Sequence, residues 1–480
     1  MSHVHTLSFQ LVFPAGIAAG EGSEYNVLRI ARNGSGEPVL RGSSLAGVLR
    51  HAWMTNGADD APSVDEIFGF AANDSRAETD GVDSALKVAD CRLNIGHGQH
   101  VERTHHLRNR HTKSVVKRGL FSLQACPPLT TTQVVLWLND QSESGSAGRK
   151  FMEFVVNRIS AGMTFGGSSA RGLGYAEIDG KAKYKCYDLG SLDDHAQYFD
   201  DHRVWRSSGA MPANCEEIEP QTIDFETAKI TLKLGIPRGQ DLLIGDGKGV
   251  DHEIEPQRVV AIDGMTYWRI PGASLRGALR SWISRLAARD GEVVADSLER
   301  LQTSQVLADE IKADDLGWCF LPQKSRFPLG EDEKNPITCP VARLFGSLMT
   351  AGRIHIPDCF SPTEATDDDS LLKSEQVRMH VAVDRITGGA AESMLFQNTV
   401  LTHSKNLQFE VTILVDKPSE KELDWIRRSI IALDLGVLRM GSSKSSGRLA
   451  LVESPRITGS KEPNRIADIK PDGWNHAQRS

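Results

Sequence analysis

One stretch of this sequence is written twice, and that doubling restricts the fold more than anything else in it. Gly42-Ser43-Ser44-Leu45-Ala46-Gly47-Val48-Leu49-Arg50 returns as Gly272-Ala273-Ser274-Leu275-Arg276-Gly277-Ala278-Leu279-Arg280. In each copy a glycine permits a tight turn, and a serine follows where a helix N-cap is expected. Leu45, Val48, Leu49 and Ala52 recur at helical spacing, as do Leu275, Ala278, Leu279 and Trp282. Such a helix buries one face and leaves Arg50 and Arg280 off the apolar stripe. Its N-terminus offers N–H groups and a positive dipole end that suit a phosphate. Ser43, Ser44, Ser274 and Arg276 therefore join Arg50 and Arg280 as candidate anion contacts. One copy alone reads as an ordinary capped helix on a sheet; two copies call for a repeated architecture.

The correspondence extends along both halves. Leu7, Phe9, Leu11 and Phe13 alternate in a first strand, as do Ile230, Leu232 and Leu234 after the midpoint. Glycines follow each strand at Gly20, Gly22 and at Gly245, Gly247. Phe68-Gly69 matches Phe345-Gly346, and Asp90-Cys91 matches Asp358-Cys359. His105, Arg110, Thr112 and Phe121 each have a counterpart 275 positions on: His380, Arg385, Thr387 and Phe396. The same offset pairs Gly172 with Gly447, near the ends of two glycine- and serine-rich loops. Each half thus reads strand, helix, strand, long excursion, strand, helix, glycine loop, strand. That order is the split β-α-β of a ferredoxin-like sheet, shared with RNA-recognition modules. The expected fold class is α+β: two tandem ferredoxin-like domains with hairpin arms and insertions.

With 480 residues the chain has room for two cores. The expected division is 1–183 for the first domain, 184–227 for an acidic linker with a short packed segment, 228–455 for the second domain and 456–480 for a loosely ordered tail. An insertion near 287–335 has no counterpart in the first half. The net charge of −8 gives no general affinity for nucleic acid, so any such site must be local. Seven scattered cysteines without a C-x-x-C pair fit a reducing cytoplasm and give no zinc spacing. No apolar run is long enough to span a bilayer, and the first residues lack a basic segment leading into an apolar core. A cytoplasmic location away from membranes is expected.

The first excursion is the most distinctive candidate site. Arg103, Arg108, Arg110, Lys113, Lys117 and Arg118 stand against the lone acid Glu102, with His105 among five histidines and Thr112 beside them. Such an arm would collect a phosphate backbone by counterion release. A solvated basic loop is the plain alternative, and the irregular histidine spacing argues against a metal cluster. His380, Arg385 and Thr387 hold the matching places on a nearly neutral second arm. The loops contribute Gly166, Gly167, Ser168 and Arg171 in one half, and Gly441, Ser442, Ser443 and Lys444 in the other. Their N–H groups and hydroxyls suit an anion, although tight connections between elements look the same in sequence. Neither ends in Gly-Lys-Ser/Thr, so neither is a nucleotide-triphosphate loop.

Taken together, the G-[SA]-S-L-x-G-x-L-R stretch, the Phe-Gly after it, the His…Arg-x-Thr segment and the glycine loop resemble the RAMP superfamily of CRISPR effector proteins. The chain looks like a tandem fusion of two backbone domains from a type III complex. The resemblance implies a role in antiviral defence, binding guide crRNA and complementary target RNA alongside other effector subunits. It also implies that the two arms are thumbs that bend the duplex. Catalytic members cut target RNA with an aspartate between the first strand's glycines and the Gly-Ser helix. On that basis the second half is the endoribonuclease, through Asp251 or else Asp246. The first half offers only Glu24 in that place. A carboxylate there can orient or deprotonate the attacking 2′-hydroxyl. Whether a divalent metal such as magnesium assists stays open at this point. So do a purely architectural role and guide processing with His105 as general base.

Overall fold

The computed structural model describes residues 3–24, 27–57, 62–70, 81–96, 100–108, 115–142, 145–208, 214–221, 223, 225–245, 254–292, 294, 339–346, 351–363, 374–384, 386–441, 447–459 and 464–473. Inside those ranges the side chains of several strand residues, Glu24 and Arg108 among them, also lie outside the description.

Each half builds its own sheet from the expected order of elements. In the first, His3–Phe13 lies between Thr130–Asp140 and Tyr175–Asp188, antiparallel to both. Leu86–Val88 and Cys91–Asn94 pair with the far side of Thr130–Asp140. Numbering the four main strands in chain order, the sheet runs 4-1-3-2. The second half repeats it. Thr227–Gly235 pairs with Gln408–Asp416 on one side and with Ala450–Leu451 and Arg456–Thr458 on the other. Ile354–His355 closes the far edge. The registers agree end to end: His3 faces Asp140 as Thr227 faces Asp416. This all-antiparallel order is the one the split β-α-β arrangement requires.

Helices cover one face of each sheet. The repeated stretches form Gly42–Asn56 and Gly272–Arg289, whose Leu45, Leu49, Leu275 and Leu279 are buried. The second helices, Ser146–Gly162 and Glu420–Asp434, bury Phe151, Val155 and Ile159, and Ile426, Ile430 and Leu433. The apolar residues fall into two large clusters, one drawn from each half. Both arms are antiparallel hairpins: Val101–Arg108 with Val115–Ala125, and Glu375–Val383 with Ala390–Thr402. His105 faces Phe121 across the first and His380 faces Phe396 across the second, so the offset of 275 preserves cross-strand pairing.

Three expectations change. The motif serines are not N-caps: Arg41 and Pro271 hold those positions, and neither side chain caps the helix. Nor does the motif glycine serve a turn. A Cβ on Gly42 would lie 2.2 Å from the Val88 carbonyl oxygen, and one on Gly272 would lie 2.0 Å from that of Ile356. Only hydrogen fits where the helix start presses on the neighbouring strand. The counterpart of Gly447 is Gly174 rather than Gly172. The N–H of Gly174 donates to Gly16 and that of Gly447 to Asp241, while their carbonyls accept from Phe165 and Met440. The second loop is thus two residues shorter than the first.

The segment 184–227 carries more regular structure than the short packed piece expected of it. It completes the strand Tyr175–Asp188, then forms the helix Leu192–Ser208 and the strand Glu216–Ile218. Asp193 and Asp194, read as linker acids, sit in that helix's first turn, where the dipole favours them. The last stretch also packs: Arg456–Thr458 joins the sheet, and Ile466 and Ile469 enter the second core. The insertion lies mostly outside the described residues, including its predicted helix. Among the described residues no helix is long and apolar enough to cross a membrane.

Candidate nucleic-acid interface

The two halves meet where the first half's arm and glycine loop reach the start of the second half's Gly-Ala-Ser helix. Asp358 is the pivot. Its Oδ1 accepts the Gly272 N–H at 2.8 Å, capping the helix from the link between the strands Ile354–His355 and Cys359–Pro362. Its Oδ2 accepts Arg103 Nη1 at 2.5 Å, from the root of the first arm. Its N–H donates to the Gly172 carbonyl at 3.0 Å. Gly172 has φ +90°, and a Cβ there would fall 2.1 Å from Asp358 Oδ1, so glycine is required for the halves to close. Arg103 also donates to the Ala15 carbonyl at 3.2 Å, and Arg269 stands 3.6 Å from the carboxylate.

Around this carboxylate positive charge is in excess. Arg276 from the second helix is mostly buried and feels the charges of Arg280 and of Arg171 from the first half's loop. Burial, then those two neighbours, pushes its guanidinium down to about 10. Arg269 is pushed to about 10 by burial and by Arg103, with Asp358 opposing. His105, on the first arm, is pushed down to about 4 by burial and then by Arg171 and Arg103. Its imidazole is therefore neutral at pH 7. Arg103, Arg269 and a neutral His105 thus surround Asp358, and Arg171 links them to Arg276 and Arg280. Crowded, partly desolvated guanidiniums of this kind gain most from a polyanion laid across them.

The structure brings together four of the residues singled out in the sequence, from both halves: His105, Arg171, Arg276 and Arg280. It gives others local duties. Gly166, with φ +75°, and Gly167 pack on the Ala18 carbonyl, and Gly441 packs in the same way on that of Leu243. Ser168 accepts from Arg171 Nη1 at 3.3 Å. Thr387 closes the tip of the second arm, its N–H and hydroxyl both donating to Asp384. Ser43 and Ser44 are exposed at the opposite, outer end, where Arg50 lies 3.8 Å from Asp65. Ser274 is half-buried in its helix's first turn, and His380 sits on the second arm facing Phe396. Glu24 lies on the strand Gly20–Glu24. Asp246, Asp251, Arg110, Thr112, Lys113, Arg385, Ser442, Ser443 and Lys444 lie outside the described residues.

Sequence reasoning missed Asp358 and Arg269 and took Arg103 only as part of a basic run. The signal was present in the duplicated Asp-Cys pair. In the first half Asp90 accepts the Gly42 N–H at 2.8 Å, and both cysteines donate to the carbonyl two residues back, at 3.3 Å. The arms also differ on their outer faces. Val377, Met379, Val381 and Val383 are exposed along the second, where Glu102 and Thr104 stand on the first.

A doubled antiparallel sheet with hairpin arms and arginines gathered between its halves defines a tandem protein of two ferredoxin-like domains. The RAMP superfamily model matches residues 8–177 and 240–448, one segment in each half, and the chain belongs to that superfamily. Membership points to a CRISPR-associated, RNA-binding subunit. No curated protein matches the chain.

Proposed function

We propose that this protein is a subunit of a type III CRISPR effector complex that holds the ribose-phosphate backbone of a guide RNA across the seam between its halves. The convergence of Arg171, which also reaches His105, with Arg276 and Arg280 carries the reading. Three guanidiniums from two domains lie close enough for Arg171 and Arg280 both to act on Arg276. Neutral His105 can donate or accept towards a ribose hydroxyl without adding charge.

Arg171→Ala, Arg276→Ala and Arg280→Ala, each in the full chain, test it by guide-RNA titration at several salt concentrations. Each loss should weaken binding and flatten the log–log salt dependence by about 1. Unchanged slopes in all three would remove the seam from RNA binding. Cleavage is assigned to Asp251, with Asp246 next, because the loop's place between the first strand and the Gly-Ser helix matches the family's catalytic position. Asp251→Ala in the assembled complex should abolish one target-RNA product and spare guide binding. Intact products would leave an architectural subunit.

A further inference from the structure

Three buried apolar residues of the first half are polar in the second, and all three exchanges lie around the root of one segment, that between Gly245 and Ile254. Backbone bonds fix the correspondence. Ala31 and Gln257 each donate an N–H to the residue before a glycine, Ala19 before Gly20 and Ile244 before Gly245. Each carbonyl accepts from the residue two before a helix N-cap, Val39 in one half and Arg269 in the other. Leu28, three residues before Ala31, lies in parallel register with Leu123; Ile254, three before Gln257, bridges Asn398 in the same sense. Gln257, Arg269 and Asn398 therefore stand where the first half has buried Ala31, Val39 and Leu123. Polar groups in such places cost stability unless hydrogen bonds offset them, and a fold keeps them chiefly where they serve a function.

The exchanged residues form a connected set. Gln257 Nε2 donates to the Gly245 carbonyl at 2.7 Å. Its Oε1 accepts Nε of Arg269 at 2.9 Å, and Nη2 as well. Arg269 in turn stands 3.6 Å from Asp358 at the junction of the halves. Asp246 follows Gly245 directly, and Asp251 comes five residues later. One amide thus ties the backbone entering that segment to an ion pair that both halves supply. On the returning side Asn398 is only 8% exposed, and its Oδ1 has no hydrogen-bond partner among the described residues. A buried acceptor left open is costly, and this one borders the same segment.

We propose that Gln257 is a positioning residue for target-RNA cleavage: through the Gly245 carbonyl it sets the place of the segment carrying Asp246 and Asp251, with Arg269 as its anchor. This rests on the assignment of cleavage to that segment. In the first half Ala31 has no group for the task, and the matching segment holds no aspartate. A carboxylate must come within hydrogen-bond reach of the ribose hydroxyl it acts on, and a misplacement of about 1 Å can slow a reaction about 100-fold.

Gln257→Glu and Gln257→Met, each in the full chain, separate positioning from packing. Glutamate keeps an acceptor for Arg269 and loses the donor to Gly245; methionine loses both. In the assembled complex at saturating target, Gln257→Glu should cut roughly tenfold to 100-fold more slowly than the parent. Its guide affinity, target KM and melting temperature should match the parent's. Gln257→Met should be as slow and should melt lower. A parental rate for Gln257→Glu overturns the inference, as does a slower rate seen only together with a lower melting temperature. Trypsin provides a readout that needs no RNA: it should nick the full chain after Lys248 several-fold faster in Gln257→Glu, and an equal rate also counts against the role. Asp251→Ala and Asp246→Ala are assayed alongside. Intact products from both would remove the cleavage assignment, and the role of Gln257 with it. Products lost there beside a parental Gln257→Glu would remove Gln257 alone.

Discussion

Asp358 and Asp90 perform the same local task in different surroundings. Each receives a motif glycine's N–H at 2.8 Å, and each closely follows the backbone carbonyl against which that glycine is pressed. Asp358 is sealed between two domains and meets an arginine from the other half; Asp90 faces water and meets Arg41 from its own helix start. The capping geometry belongs to the repeated unit, whereas the energetic weight of the carboxylate comes from its neighbours. A buried pair is costly to break because the survivor keeps its charge without water. An exposed pair loses little, because water replaces the partner.

The largest separation between the two sites should come from Arg103→Ala. It leaves buried Asp358 with Arg269, 3.6 Å away, as its remaining counter-charge, and should cost about 3 kcal/mol of unfolding free energy, measured by urea titration. Acidification comes next. His105 is held neutral down to about 4, whereas in the unfolded chain it protonates near 6.5. A histidine with a lowered folded-state pKa gives stability that is complete above about 6.5 and lost as the pH falls towards 4. Allowing for its partial exposure, the junction should lose on the order of 2 kcal/mol over that window. His105→Gln should flatten that part of the pH profile; buried His5, also pushed down to about 4, supplies the slope that remains. Asp90 and Glu21 have lowered pKa values, Asp90 through the Gly42 N–H first and Glu21 through Arg41, so the outer end weakens only below the ordinary carboxylate range. The smallest effect belongs to Asp90→Ala, about 1 kcal/mol for a lost helix cap. Equal costs for Arg103→Ala and Asp90→Ala would mean that burial at the junction adds nothing.

Much of this architecture was legible because duplication turns weak local signals into paired ones. The four-strand order, the second helices and both hairpin arms followed from motif order, and the pairing of His105 with Phe121 recurs at the expected offset. Of the site, His105, Arg171, Arg276 and Arg280 were named from sequence, but not their meeting. That depends on how one domain lies on the other, which no local pattern encodes. The helix caps were misread for a related reason. Serine at a helix start is the usual local solution, whereas here the cap is a carboxylate 86 residues away from Gly272. The extent of the packed piece in the linker was not legible, because its acids favour a helix N-terminus as readily as a solvated loop. The shorter second loop hid the match of Gly174 with Gly447, because a constant offset fails after two residues are lost.

The bond between Arg103 and Asp358 spans 255 residues of chain. At a synthesis rate of about 5–20 residues per second, the arm emerges from the ribosome roughly ten seconds to a minute before its counter-ion exists. During that interval the N-terminal half holds an arginine whose destined carboxylate has not been translated. The nascent chain therefore passes through a stage in which one domain's fold is complete except for a charge supplied by the other.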